Sequence, residues 1–362
     1  MSSPLWAVLP GTVDDPAAPS GGNRYDRIVL NLLTAGDGPD VPARDVHEIA
    51  VPGDWPSPAA PARDALARAL SDIPDKADVL VDGLVGCGVP EILQPHRHRL
   101  RIAVLVHLPL SDETGLAPAE AAARRNRERT TLHMATKVIA TSRAAARRIT
   151  DMHDLPPAGA GEGAGGAAHG RVWVVEPGVS PAECSPPDRS GSRLLCVAAV
   201  SPRKGQDLLV AALEEHLADL RWTCTFAGAL IKPVAHRHQN IRFAGALQGT
   251  ALDSAYGKAD LLVLPSRAET YGMVVTEALA RGLPVIATDV GGVSEALGVA
   301  PNGERPGLLV PPDDVPALAG ALRTWLTDAG ERERLRTAAR ARRGTLPTWH
   351  DTARRLSEVL DA

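Results

Sequence analysis

The stretch PSRAETYGMVVTEALARGLPVIATDVGG, Pro265 to Gly292, decides how the second half of the chain folds. It follows the apolar run Leu261–Leu264, which predicts a buried strand, and it continues into an apolar stretch that predicts a helix of about ten residues. Glu269 lies in the intervening turn, and Glu277 lies eight positions later, a little over two helical turns. We therefore expect both carboxylates on the same side of the helix entrance.

The residues between these acids lie at the predicted helix N-terminus, where backbone N–H groups lack partners within the helix. Such a terminus carries about half a positive charge and binds phosphate. Carboxylates beside it suit the hydroxyl groups of a sugar. The alternative is that Glu269 is only stabilised by the helix dipole and that Glu277 is a solvated helix residue. Backbone contacts to a ligand are predicted from Thr270, Tyr271, Gly272 and Met273.

A second informative segment is LLCVAAVSPRKGQDLLVAAL, Leu194 to Leu213. A predicted strand ends there, the chain turns, and Arg203 and Lys204 precede Gly205 and a predicted helix. Two cations above a helix N-terminus form an anion site. Solvated cations at a turn are the alternative, but Lys204 is one of only five lysines among 39 basic residues, which favours a specific role.

Length and composition predict two globular domains. The chain has 362 residues, about twice a typical domain, and 44% of them are hydrophobic. A formal net charge of −4 excludes a nucleic-acid binder held by bulk positive charge. The four scattered cysteines predict neither a disulfide framework nor a zinc site. No signal peptide and no apolar run near the ~20 residues of a membrane span are present, so we predict a cytoplasmic protein.

Short apolar runs alternate with longer amphipathic stretches, which is typical of parallel sheets with crossover helices. The predicted fold class is α/β, with two Rossmann-like, doubly wound domains and a ligand cleft between them. The first domain is predicted at 1–170, ending in a linker at 156–170 that has no large apolar side chain. The second is predicted at 171–345. Predicted strands are Leu5–Leu9, Glu48–Val51, Asp78–Val81, Arg101–Val106, Lys137–Ala140, Val172–Val175, Leu194–Ala198, Thr223–Ala227, Ile241–Ala244, Leu261–Leu264, Val285–Ala287 and Leu308–Val310.

Signals for other chemistry are weak. A G-x-G-x-x-G match at Gly161–Gly166 lies in the linker, without a strand before it or a helix after it, so a nicotinamide-binding fold is not predicted. The HRH segments His96–His98 and His236–His238 are interpreted as exposed turns, and the absence of D-x-D gives no reason to expect a metal. The arginine-rich stretch Arg124–Arg129, with Glu128 among its partners, is interpreted as a solvated helix face rather than a membrane-binding one.

The E-x7-E spacing of Glu269 and Glu277, together with the strand–SPRKG–helix element, resembles the family-4 retaining glycosyltransferases of the GT-B fold. Weaker similarities extend over nearly the whole chain. PSGGNRYDR resembles that family's N-terminal glycine loop, VLVHLPL its histidine loop, and GVSPAE the start of its C-terminal domain. The segment 346–362 is similar to the closing helix that returns to the N-terminal domain.

The resemblance implies a role for each matching residue. Arg203 and Lys204 would hold the diphosphate of a nucleotide sugar. Glu269 would bind hydroxyls of the transferred sugar, and Glu277 would bind the nucleotide ribose. His107 would lie near the transferred sugar. The remaining contacts would come from a glycine loop and from backbone groups, at Gly21, Gly22, Tyr271, Gly272, Met273 and Val274.

The chain departs from the family at Ala198-Ala199, where the family usually has Gly-Arg. One diphosphate-binding arginine is therefore missing, and Arg203 is the candidate to replace it. This departure keeps open a second class of function, a catalytically inactive partner that binds nucleotide sugars. Another GT-B enzyme, such as an epimerase or a phosphorylase, is a third alternative.

The prediction from sequence is a metal-independent, retaining hexosyltransferase. It would move a sugar from a UDP- or GDP-sugar to a hydroxyl of a small metabolite or a glycan. In the mechanism that the family favours, the departing phosphate oxygen takes the acceptor proton on the same face of the sugar. The nucleotide sugar is a substrate, so no cofactor is expected. Neither nucleic acid nor membrane is an expected partner, and a homodimer is left open.

Overall fold

A computed structural model describes residues 3–15, 20–36, 41, 43–156, 171–186, 188 and 190–362. The Gly161–Gly166 match and the predicted linker from residue 157 onward lie outside the described residues. Contacts divide the chain into two compact units. The first comprises Met1–Gly178 together with Thr348–Ala362, and the second comprises Val179–Pro347.

The first unit is built on a six-stranded parallel sheet with the order β2-β1-β3-β4-β5-β6. Every residue of β3 and nearly every residue of β4 is buried, because helices cover both faces of a parallel sheet and its central strands are continuous apolar runs. The strands are β1 (Leu5–Pro10), β2 (Val46–Val51), β3 (Asp78–Asp82), β4 (Arg101–Val106), β5 (Lys137–Ala140) and β6 (Val172–Val174). The helices are α1 (Gly21–Ala35), α2 (Ala60–Asp72), α3 (Gly83–Gly86), α4 (Pro90–Leu93), α5 (Pro118–Met134) and α6 (Arg143–His153).

The second unit repeats this architecture with the strand order β12-β11-β10-β7-β8-β9. Strands β7 and β10 are direct neighbours although they are far apart in sequence, so the loops that follow them lie at the same edge of the sheet. The strands are β7 (Arg193–Val197), β8 (Thr223–Ala227), β9 (Ile241–Phe243), β10 (Leu261–Leu264), β11 (Val285–Thr288) and β12 (Gly307–Val310). The helices are α7 (Gln206–His216), α8 (Gly249–Gly257), α9 (Met273–Ala280), α10 (Val293–Leu297), α11 (Val315–Thr327) and α12 (Ala329–Arg343).

The final helix, α13 (Trp349–Asp361), belongs to the first unit. Thr348 and Asp351 form a capping box that starts the helix sharply. The Trp349 ring meets the Tyr25 ring of α1 edge to face, with the centroids 5.9 Å apart. At the other end, Lys137 donates a hydrogen bond from Nζ to the carbonyl oxygen of Leu360 over 2.8 Å. The predicted return of the closing helix to the N-terminal unit is confirmed.

The division between the units lies later in the chain than the predicted boundary at residue 171. Strand β6 pairs with β5 and completes the first sheet, so the first unit continues to Gly178. The composition of the segment 156–170 predicted a linker, and the domain boundary was placed at its end. Composition does not show that the strand after this segment, β6, pairs with β5 of the first sheet.

Candidate functional site

The turn carrying Glu269 connects β10 to α9. Gly272 is the N-cap residue of α9 and has a φ of +93°, a left-handed conformation in which glycine carries no steric penalty. Thr270 and Tyr271 lead into the helix, and Met273 and Val274 form its first turn. The predicted helix N-terminus is therefore confirmed at this position.

Lys204 and Glu269 form an ion pair at this turn. Nζ of Lys204 donates to Oε1 of Glu269 over 2.6 Å, and Oγ of Ser266 donates to the same oxygen over 2.8 Å. The Glu269 side chain is only 7% exposed. Burial raises the pKa of this carboxyl, but the charge and the hydrogen bond of Lys204 outweigh burial, so that its pKa is lowered overall. Glu269 is thus a buried, ionised hydrogen-bond acceptor.

Two glycines allow the surrounding loops to approach this turn closely. Gly205 has a φ of +65°, and a Cβ atom there would lie 2.0 Å from the carbonyl oxygen of Pro265. A Cβ atom on Gly291 would lie 1.7 Å from the carbonyl oxygen of Glu269. Both distances are far below any allowed contact. Any side chain at either position would therefore displace the Glu269 turn.

Arg203 and Arg267 join the two loops that follow β7 and β10. Nη1 of Arg203 donates to the carbonyl oxygen of Ala268 over 3.4 Å, and the backbone N–H of Arg267 donates to the carbonyl oxygen of Arg203 over 2.8 Å. The Arg267 guanidinium also pairs with Asp207 at the start of α7, over 2.7 Å. The structure therefore brings together Arg203, Lys204 and Glu269, three of the residues singled out from the sequence.

Glu277 lies in a second hydrogen-bond network on α9. Its side chain is buried, and its Oε2 accepts a hydrogen bond from the hydroxyl of Tyr256 over 2.8 Å. The Arg281 guanidinium lies 4.5 Å above the Tyr256 ring and donates to the backbone carbonyl of Glu277. The interpretation of Glu277 as a solvated residue is wrong. Tyr256 was not predicted from the sequence, because no spacing rule connects it to a residue 21 positions later.

The predicted glycine loop leads into α1 of the first unit. Ser20 is the N-cap residue, and its Oγ accepts a hydrogen bond from the backbone N–H of Asn23 over 3.0 Å. Gly21 is exposed and Gly22 is half-buried. A Cβ atom on Gly22 would lie 3.0 Å from two ring carbons of His107, so the helix terminus and the imidazole are in close contact.

His107 follows β4 and forms a buried cluster with two aspartates that the sequence analysis missed. Nε2 of His107 is 2.8 Å from Oδ1 of Asp26, on α1. Asp82 ends β3, and the ligand-capable atoms of the three side chains lie within 4.8 Å of one another. Asp26 was part of the quoted glycine-loop segment, and Asp82 directly follows a predicted strand, so strand-end reasoning could have found it.

Hydrogen bonds hold the cluster together. Oδ1 of Asp82 accepts the backbone N–H of Leu84 over 2.6 Å, and Nε2 of His107 is hydrogen-bonded to Oδ1 of Asp26. Burial lowers the pKa of His107, but the Asp26 and Asp82 carboxylates raise it to about 9. Burial and the neighbouring Asp26 charge raise the pKa of Asp82 to about 7.

Two predicted surface features of the first unit are different in the structure. His96 is buried and accepts a hydrogen bond at Nδ1 from Arg99, so the HRH segment is not a fully exposed turn. Glu128 is also buried and pairs with His153 over 2.9 Å instead of with arginines on a solvated face. Its other oxygen accepts the backbone N–H of Leu110, which fixes the loop after His107. Within the described ranges, no helix has both the length and the apolar character of a membrane span.

A groove of about 790 Å³ lies beside this site in the second unit, between α7 and the segment 232–238. It is lined by acidic, basic and apolar side chains, among them Asp207, Val210, Glu214, Lys232 and His238. None of the predicted ligand-binding residues lines it.

The sequence profile of the family described as "Glycosyl transferases group 1" matches residues 186–342. This range lies within the second unit and includes the Lys204–Glu269 pair and Glu277. Residues 186–342 belong to the group 1 glycosyltransferases. This membership confirms the resemblance to family-4 glycosyltransferases.

Similarity to a curated glycosyltransferase covers more of the chain than residues 186–342. D-inositol 3-phosphate glycosyltransferase of Kineococcus radiotolerans is 32% identical in an alignment of 279 positions that covers 68% of this chain and 61% of that protein. The chain thus spans less than two thirds of the length of that relative.

Two solved structures resemble the chain over nearly its full length. Sucrose-phosphate synthase from Thermosynechococcus elongatus superposes with a TM-score of 0.73 at 20% identity, covering 99% of this chain and 98% of that one. HepE of Anabaena, in complex with UDP-glucose, superposes with a TM-score of 0.68 at 16% identity, covering 99% of each chain. These likenesses establish the predicted GT-B fold.

Proposed function

We propose that the chain is a retaining glycosyltransferase that moves a sugar from a nucleotide diphosphate to an acceptor hydroxyl. The observation that carries this proposal is the ion pair of Lys204 and Glu269 at the N-terminus of α9. A half-buried cation, an ionised carboxylate and a helix N-terminus within one turn offer partners for a phosphate and for sugar hydroxyls together.

The positive groups would act on the leaving diphosphate. Breaking the bond between sugar and phosphate places negative charge on the departing oxygen, so preorganised cations stabilise the transition state more than the bound substrate. Lys204 donates one of its three N–H bonds to Glu269, which leaves two for phosphate oxygens. Arg203, held beside Ala268, would supply the charge that Ala199 does not.

The acidic residues would hold the donor by its hydroxyl groups. Glu269 is kept ionised by Lys204 and would accept hydrogen bonds from the transferred sugar. Glu277, fixed by Tyr256, would accept hydrogen bonds from the ribose. The backbone from Thr270 to Val274 would contact sugar and phosphate. In the first unit, Gly21, Gly22 and His107 would approach the diphosphate and the acceptor.

The reaction needs no metal or cofactor in this proposal, because lysine, arginine and helix N–H groups supply the positive charge. The acceptor proton would pass to the departing phosphate oxygen as the new bond to the sugar forms on the same face. UDP- and GDP-sugars are the proposed donors, and a HepE structure with UDP-glucose bound supports the former. A hydroxylated metabolite or a glycan is the proposed acceptor, and the name of the K. radiotolerans relative supports a small polyol.

A panel of UDP-, GDP- and dTDP-sugars in a thermal-shift assay tests donor binding, since a ligand that binds only the folded state raises its apparent stability. Mass spectrometry with hydroxylated acceptors then tests transfer, and the anomeric coupling constant of the product tests retention. Stabilisation without product across all acceptors would favour the inactive-partner alternative. A product of unchanged mass would indicate an epimerase, and a requirement for free phosphate would indicate a phosphorylase. Full activity in the presence of a chelator is expected.

A further inference from the structure

The cluster of Asp26, Asp82 and His107 places two buried carboxyl groups next to one histidine ring. Asp26 is 3% exposed and Asp82 is 5% exposed, whereas the His107 side chain is 19% exposed. His107 is therefore the member of the cluster that a bound molecule can reach. The two aspartates lie behind it, on α1 and at the end of β3.

Asp26 is only partly satisfied by His107. Its Oδ1 accepts from Nε2 of His107, but Oδ2 is buried and has no hydrogen-bond partner among the described residues. A buried carboxylate oxygen without a donor is costly. A carboxyl oxygen of Asp82 lies within 4.8 Å of a carboxylate oxygen of Asp26, and a side-chain hydrogen bond with Asp26 contributes to the raised pKa of Asp82, so a protonated Asp82 can donate to the Asp26 carboxylate. The raised pKa of Asp82, about 7, means that this proton is present below about pH 7.

The surroundings also restrict how the His107 ring can turn. The backbone of Gly22 leaves no room on one side of the ring, where a Cβ atom would lie 3.0 Å from Cγ and Cδ2. The Tyr25 ring packs edge to face against the imidazole, with the centroids 5.2 Å apart. With Nε2 held by Asp26, Nδ1 is the nitrogen that remains for a ligand.

We propose that Asp26 is a positioning residue for glycosyl transfer: it holds the His107 ring by Nε2 and keeps it cationic, so that Nδ1–H donates to an anionic oxygen of the bound nucleotide sugar. This inference rests on the proposed function. A charged donor on a fixed ring gives a stronger hydrogen bond to a phosphate or developing oxyanion than a neutral imidazole does. In this proposal Asp26 acts through His107 and not by contact with the nucleotide sugar.

The charge state of His107 depends on the groups that face it. These are Tyr25 and Asp26 from α1 and Asp82 from the end of β3. Burial raises the pKa of Tyr25 well above its ordinary value, so this hydroxyl stays neutral and adds no charge. Removing the Asp26 charge would leave burial, which lowers the pKa of His107, opposed by Asp82 alone.

Nitrogen-15 NMR titration of the histidine rings tests this without reference to activity, with the His107 signals assigned by their loss in His107→Gln. The expected midpoint is about 9 in the wild-type chain. It should fall by more than two pH units in Asp26→Asn and recover most of that shift in Asp26→Glu. A wild-type midpoint at or below 6.5, or an unchanged midpoint in Asp26→Asn, overturns the proposal. If Asp26→Asn does not fold, Asp82→Asn provides the second measurement, with an expected fall of about one pH unit.

Steady-state kinetics then distinguishes a positioning role of Asp26 from a role in packing alone. At pH 8, Asp26→Asn should lower kcat at least tenfold with less than a threefold change in KM for the nucleotide sugar, and most of the loss should be recovered below pH 6. A uniform loss at every pH indicates packing only and overturns the proposal. Active transfer with a normal His107 titration in Asp26→Asn refutes this inference and leaves the proposed function standing. A wild-type chain that binds no nucleotide sugar refutes both.

Discussion

Nζ of Lys204 lies 2.6 Å from Oε1 of Glu269, although the two residues are 65 positions apart in the chain. Lys204 follows β7 and Glu269 follows β10, and these strands are neighbours in the second sheet. The sheet order therefore converts two separate sequence signals into one charged pair. The pair is largely shielded from solvent, with side-chain exposures of 18% and 7%.

Lys204→Ala should lower the turnover of glycosyl transfer by at least about a hundredfold, because it removes preorganised charge from the leaving diphosphate. It should also raise the pKa of Glu269, since burial would no longer be opposed by the ammonium group. Steady-state kinetics measures the first effect. Lys258→Ala is the matched control, because Lys258 is exposed at the end of α8 and should leave turnover unchanged. Near-normal turnover in Lys204→Ala would contradict the proposed function.

Tyr256→Phe should weaken binding of the nucleotide sugar by about tenfold, because it removes the hydroxyl that orients Glu277 and so leaves a buried carboxylate short of a donor. Titration calorimetry with UDP-glucose or another donor found by the screen measures the change. A double-mutant cycle with Glu277→Ala supplies the control. If Tyr256 acts through Glu277, the tyrosine substitution will have little further effect in the Glu277→Ala background. Additive losses would show that the two side chains act independently.

Gly22→Ala should reduce transfer activity about tenfold or more, because the new methyl group would press on the His107 ring at 3.0 Å and displace it from Asp26. Stability should change little, since the backbone of Gly22 lies in an ordinary helical conformation at the start of α1. Gly320→Ala is the matched control. This exposed glycine lies inside α11 with open space around it, so alanine there should stabilise the chain by about 0.5–1 kcal/mol. Full activity in the Gly22→Ala variant would show that the position of the His107 ring does not affect glycosyl transfer.

The stability of the chain should fall as the pH rises from 6.5 to above 9, in part through His107. The pKa of this ring is raised from 6.5 to about 9 in the folded chain, so its stabilising contribution is complete below pH 6.5 and is lost as the pH passes through about 9. Asp82 acts in the same direction at lower pH, because its pKa is raised from 3.8 to about 7. Thermal unfolding across this range should show a shallower fall in His107→Gln than in the wild-type chain. His98→Gln, at an exposed position, should follow the wild-type curve.

The alternation of apolar and amphipathic stretches was sufficient to predict most of the fold. Strands β4 and β10 match their predicted ranges residue for residue, because a central parallel strand is an uninterrupted apolar run with clear ends. Short helices such as α3 and α10 were not predicted, since four or five residues do not show a helical period. The strand at Val172–Val174 was predicted, but its membership of the first sheet was not.

The sequence predicted those site residues that lie in a turn directly after a strand. Lys204 and Glu269 stand at such positions, within turns marked by proline and glycine. Asp26 and Tyr256 could not be found in this way, because both lie within helices and meet their partners only in three dimensions. Asp26 contacts a residue 81 positions away, and its sequence context is that of an ordinary helix acid. Buried partners of this kind require the packing of α1 and α8 against their sheets.

The first unit is completed by the segment Thr348–Ala362, whereas the second unit is continuous from Val179 to Pro347. During translation, the second unit can fold as soon as its own residues have emerged, as domains generally do. The first unit is completed only later, because Tyr25 and Lys137 meet their α13 partners after the whole of the second unit has been synthesised. The order in which ribosomes make this chain therefore differs from the order in which its halves mature.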